Sequence, residues 1–147
     1  MRIADALAPA SLLFLDTAPV IYHVEGVALY QPLTDFVFRC VTSGTIEVAT
    51  SPITLAECLV HPLRKQDTAL AQQFRRAITG GAHTRYASLD AAAESAALLR
   101  ARYNLSLTDA FQIAAALVAG CDAFLTNDLD LKRVVELPIL VLDELEL

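Results

Sequence analysis

Ser11-Leu12-Leu13-Phe14-Leu15-Asp16-Thr17-Ala18-Pro19 is the stretch that decides the fold class. Ser11 to Leu15 runs apolar without alternating, so it reads as a strand covered on both faces, as in a parallel sheet. Thr17 or Asp16 then caps a helix with Pro19 in its first turn, where proline is tolerated. Thr45 to Thr50 gives a second strand, and Ser51-Pro52 an N-cap with proline at the first helical position. Thr84 to Ser88, Ala123 to Leu125 and Pro138 to Leu142 supply three more strands.

Helical patterns fill the gaps. One spans about Pro32 to Val41; another starts at Pro52 and breaks at His61-Pro62. A longer one follows to Ile78, stopped by Gly80-Gly81. Asp90 caps an alanine-rich helix to about Tyr103, Ser106 caps one ending at Gly120, and a short helix begins near Leu129. This alternation predicts an α/β fold with a central parallel sheet and helices on both faces. No repeat, low-complexity tract or linker interrupts it, so residues 1–147 read as one domain.

Of the 147 residues, 55% are hydrophobic and 19% charged, enough to bury a core. Eleven Lys+Arg against 17 Asp+Glu leave a net charge of −6. That balance argues against broad coating of nucleic acid, though not against a local site. Mean hydropathy is +0.47, yet the longest uncharged run, Ala110 to Cys121, has only 12 residues. A membrane span needs about 20, so no membrane association is expected. Ala8-Pro9-Ala10 precedes the apolar run instead of following it, unlike a signal-peptide cleavage site. Cys40, Cys58 and Cys121 are odd in number and widely spaced, which fits free thiols in a reducing cytoplasm.

Four acids stand in unusual places. Asp16 directly follows a strand, on the side where a parallel sheet opens its crevice; its ordinary role would be an N-cap. Glu57 lies about six residues into its helix, too late for a cap, among Ile53, Leu55, Cys58, Leu59 and Val60. A carboxylate among apolar side chains is costly without a partner such as a metal ion, or Arg64 or Lys65 at the rim. Asp109 stands in capping-box spacing from Ser106 and is the one charge in the helix to Ala119. Asp128 follows the fourth strand through Thr126-Asn127, another position suited to a cap. Asp130 either assists there or is a solvated first-turn acid. Together these carboxylates suit an oxygen-only site for Mg²⁺ or Mn²⁺, ions that serve phosphoryl chemistry.

Leu15-Asp16-Thr17-Ala18-Pro19-Val20-Ile21-Tyr22, Thr54-Leu55-Ala56-Glu57, Leu107-Thr108-Asp109-Ala110 and Leu125-Thr126-Asn127-Asp128 resemble, in order and spacing, the motifs of the PIN domain. The resemblance covers nearly the whole chain. It implies a three-layer sandwich around a five-stranded parallel sheet and a metal-dependent nuclease, many small bacterial members being VapC-type toxins. It maps the family's acidic quartet onto Asp16, Glu57, Asp109 and Asp128, and its hydroxyl residue onto Thr126. It further implies RNA products with a 5′-phosphate, a homodimer and a cognate antitoxin. In this reading Asp16, Asp109 and Asp128 hold the metal, while Glu57 binds a second ion or orients the water.

Other chemistries find little support. His23, His61 and His83 lack zinc-ligand spacing, no glycine-rich phosphate loop is present, and no G-x-S-x-G elbow occurs. A phosphatase using Asp16 as nucleophile would need a second aspartate at position 18, which is alanine. The non-enzymatic alternative is an inactive PIN-like module that binds protein. Arg64, Lys65, Arg75 and Arg76 fall on one predicted helix, where an 11-residue step returns to nearly the same face. They form either a solvated face or a stripe that tracks RNA phosphates.

Overall fold

A computed structural model describes residues 1–147. Five strands, β1 (Leu12–Leu15), β2 (Glu47–Thr50), β3 (Thr84–Tyr86), β4 (Ala123–Thr126) and β5 (Ile139–Val141), form one sheet in the order β3-β2-β1-β4-β5. All four pairings are parallel, with Leu13 opposite Val48 and Phe14 opposite Phe124. The central strand β1 is buried along its whole length because successive side chains serve opposite cores. Leu13 and Leu15 join Val20, Val37 and Phe74 on one face. Leu12 and Phe14 join Leu99, Ile113 and Phe124 on the other, where the Phe14 and Phe124 rings stack with centroids 5.1 Å apart.

The helices are α1 (Ile3–Leu7), α2 (Thr17–Glu25), α3 (Gln31–Thr42), α4 (Pro52–Arg64), α5 (Thr68–Thr79), α6 (Ala93–Tyr103) and α7 (Leu107–Val118). Short 3₁₀ turns precede α6 and flank β5. Helix α7 buries Ala110, Ala114, Ala115 and Ala116 completely. Methyl-sized side chains there let it sit close to the sheet, and this places Asp109 at the strand ends. Gly26 ends α2 in the left-handed conformation, with φ 65°, a geometry that costs little without a Cβ.

Two expectations fail. The helix starting at Pro52 does not break at His61-Pro62. It continues through Pro62 to Arg64, and the chain turns at Gln66, which has φ 55°. Pro62 forfeits a helical hydrogen bond, but its ring is buried and Asp67 supplies the next cap, accepting from the Leu70 N–H at 3.0 Å. Arg64 and its successor Lys65 therefore finish α4, whereas Arg75 and Arg76 belong to α5. They form no single helical stripe. No helix is long and apolar enough to cross a membrane. The three cysteines are free, and burial pushes the Cys58 and Cys121 thiols up to about 12.

Candidate active site

The strand order places β1 between strands reached in opposite directions, and the crevice of such a sheet opens at the carboxyl ends beside that point. Asp16 sits there, at the outlet of β1. Its N–H donates to the Leu125 carbonyl at 3.0 Å, which pins it to β4. Its carboxylate accepts from the Thr17 N–H at 2.9 Å through one oxygen and from the Thr126 hydroxyl at 2.8 Å through the other. Asp16 is thus an N-cap and a site carboxylate at once. Burial raises its pKa, and the charges of Asp109 and Glu57 push the same way against those two donors.

Asp109 stands half-buried in the first turn of α7. The cap there is made by Ser106, whose hydroxyl accepts from the Asp109 backbone N–H at 3.1 Å, so the Asp109 carboxylate is not the cap. Burial raises its pKa, with the charges of Asp128 and Asp130 adding to the effect. Asp128 is exposed; its N–H donates to Thr126 Oγ1 at 3.1 Å, and one carboxylate oxygen accepts from the Asp130 N–H at 3.0 Å. Asp130 is also exposed and pairs with Arg133 at 2.9 Å, so it belongs to the surface of the 3₁₀ turn. The loop between Thr126 and Asp128 is braced by Asn127, which accepts from the Asp143 N–H at 2.9 Å and donates to the Tyr22 hydroxyl at 3.4 Å.

Glu57 corrects the sequence argument. It is exposed, not enclosed by apolar side chains, because α4 turns Thr54 and Cys58 inward and leaves Val60 45% exposed. Its partner is neither Arg64 nor Lys65 but the Thr17 hydroxyl, which donates to it at 2.8 Å. Glu57 and Asp16 therefore both engage Thr17.

Asp16 feels the charges of Asp109 and Glu57, and Asp109 feels that of Asp128, yet no three His, Cys, Asp or Glu side chains close into a ready-made ligand group. Like charges resist closer approach without a cation between them. All the available donors are oxygens, and Asp16 and Asp109 both have raised pKa values. A hard divalent cation would relieve both effects, so the donor set fits Mg²⁺ or Mn²⁺ in kind.

Sequence reading missed Gln112. It is buried in α7, with Nε2 donating to Thr54 Oγ1 at 2.7 Å and lying 3.5 Å from Asp16, and with Oε1 accepting from the Ser51 hydroxyl. An amide among buried alanines was the available signal. The largest open cleft, about 710 Å³, lies elsewhere and includes none of the four acids. Its basic residues His23 and Arg39 occupy the last turns of α2 and α3, and the Arg39 guanidinium there complements the helix dipole.

The sequence model of the PIN domain matches residues 13–137. No curated protein matches the chain by sequence. Among solved structures, the chain is similar to VapBC2 from Rickettsia felis bound to a promoter DNA fragment, with TM-score 0.68 and 14% identity over 88% of this chain and 98% of that one. It is also similar to Mycobacterium tuberculosis VapC20, described as a Sarcin-Ricin loop cleaving toxin, with TM-score 0.66 and 17% identity over 86% and 98%. DNA-bound VapBC from Salmonella typhimurium gives TM-score 0.64 and 19% identity over 88% and 97%. At such identities the likeness is one of fold.

Proposed function

Because the chain belongs to the PIN domain family, we propose that it is a metal-dependent endoribonuclease and the toxin of a toxin–antitoxin pair. The observation that carries this reading is Asp16, fixed at the outlet of the central strand by Thr126 and repelled by Asp109 and Glu57. Such a carboxylate is poised for a cation.

Asp16, Asp109 and Asp128 would hold Mg²⁺ or Mn²⁺. The bound ion would neutralise charge on the scissile phosphate and lower the pKa of the attacking water. Glu57 is exposed with one oxygen held by Thr17, leaving the other to orient that water and take its proton. Water attack on phosphorus breaks the bond to the 3′ oxygen, which takes a proton from solvent, giving a 3′-hydroxyl and a 5′-phosphate. Thr126 keeps Asp16 and Asp128 in register throughout. Asp130, tied to Arg133, has a supporting part at most, by adding negative charge near Asp109.

Exposed cations on the α4–α5 pair, Arg64, Lys65, Arg75 and Arg76, are the candidates for phosphate contact, and none is engaged in an ion pair. With a net charge of −6, RNA affinity must come from such local groups. A cognate antitoxin belongs to the same proposal, supported by the fold shared with VapBC complexes, and a homodimer belongs to it as what the family resemblance implies. The free thiols support a cytoplasmic setting.

Incubation of a fluorescent RNA with the protein and Mn²⁺ tests the reading. Multiple turnover that stops with EDTA supports it. No cleavage under any divalent ion would leave an inactive protein-binding module.

A further inference from the structure

Asp16 has a neighbour that no motif assigns. Gln112 is 1% exposed and projects from α7 into a polar pocket enclosed by fully buried Ser51 and Thr54. An amide can in principle sit either way round, but here the partners settle it. Ser51 Oγ accepts the Ile53 N–H at 3.1 Å as the N-cap of α4 and donates its own hydrogen to Gln112 Oε1. Thr54 donates its hydrogen to the Leu15 carbonyl at 3.4 Å, so its oxygen accepts from Gln112 Nε2. The second hydrogen of that NH₂ group is left for Asp16 Oδ1, 3.5 Å away. Every buried polar side-chain atom finds a partner in this arrangement, and a flipped amide would set Oε1 against the carboxylate.

Three site elements meet at this one amide: β1, which leads directly into Asp16; α4, which carries Glu57; and α7, which carries Asp109. We propose that Gln112 is a positioning residue for the acidic site, holding the Asp16 carboxylate against α4 and α7 through an amide locked by Ser51 and Thr54. In its effect on metal binding and cleavage it rests on the reading of the acids as a metal-dependent nuclease site. The contact with Asp16 itself does not.

The test combines two measurements on the intact protein. A double-mutant cycle of Gln112→Met and Asp16→Asn, by urea unfolding without metal, asks whether the residues act through each other. Non-additivity of at least about fivefold in the unfolding constant is expected; additive effects overturn the proposal. Mn²⁺ titration calorimetry then compares Gln112→Met with Ile113→Val, a core change on the same helix. Affinity should fall about 10-fold or more in the first, as for other groups that orient metal ligands, and stay near wild type in the second. Equal affinities overturn the proposal. If Gln112→Met does not fold, Thr54→Val releases the same amide and takes its place in both measurements. Wild-type protein that binds no Mn²⁺ contradicts the metal reading alone, and the cycle then decides the Gln112 contact.

Discussion

The Thr126 hydroxyl donates to Asp16 Oδ2 at 2.8 Å and accepts from the Asp128 N–H at 3.1 Å. One buried side chain at the end of β4 thus joins two acids that lie far apart in sequence. Thr126→Val keeps the shape and removes both bonds, leaving the Asp128 N–H without its partner. A loss of about 1–3 kcal/mol in stability is expected, together with weaker Mn²⁺ binding. Thr126→Ser should restore both. Urea unfolding and calorimetry of the two variants check this, and a valine variant as stable and as competent as wild type would refute it.

Metal should stabilise the fold. A ligand that binds only the folded state contributes RT ln(1+[L]/Kd), about 2.7 kcal/mol at 100 Kd. Thermal melting with millimolar Mg²⁺ or Mn²⁺ should therefore shift upward, and Asp16→Asn should reduce the shift. An unmoved melting curve counts against the site.

The raised pKa values of Asp16 and Asp109 fix a sign for pH dependence without metal. Their folded-state values lie above the ordinary 3.8, so the folded protein holds these protons more tightly than the unfolded chain. Their contribution to stability is complete below the ordinary value and is lost as pH rises through the raised one. Relative to wild type, Asp16→Asn should gain stability on going from acid to neutral pH, because it lacks this loss. A stability difference between the two that does not vary with pH would contradict the assignment.

Asp109→Asn should separate activity from stability. The α7 cap is made by the Ser106 hydroxyl on the backbone N–H of residue 109, which the substitution leaves intact. One charge leaves a mutually repelling group, so the metal-free variant should be as stable as wild type or slightly more so, a trade-off common at functional sites. Cleavage should collapse. Full activity would return Asp109 to a purely structural role.

Much of this architecture was legible in the chain, for reasons particular residues make plain. The non-alternating Leu12–Leu15 run could only be covered on both faces, and Asp16 and Asp128 marked strand outlets. Glu57 misled because helical neighbours do not reveal which face is inward: its own side of α4 is open, and Cys58 points to the core. Pro62 misled because a buried ring near a helix end offsets a lost hydrogen bond. Helix α1 went unseen because its closure depends on the far end of the chain, where the Ile3 N–H donates to the Glu146 carbonyl at 2.7 Å. Gln112 escaped a reading that followed formal charges.

Arg75 and Arg76 offer a separate check on substrate engagement. If they contact RNA phosphates, alanine at both should weaken RNA binding and lower the salt slope by about 0.7 per lost contact, as for single strands. Filter binding across a salt series reads both quantities. An unchanged slope makes α5 a solvated face.

The proposed function makes the Asp16 carboxylate essential to metal-dependent RNA hydrolysis. Its most direct test is the Mn²⁺-dependent turnover of one fluorescent RNA by wild type and by Asp16→Asn, both verified as folded by circular dichroism. Since groups that merely orient metal ligands are worth about 10–100-fold, loss of a ligand should reduce turnover by about 100-fold or more. Equal turnover by the two proteins would contradict the account.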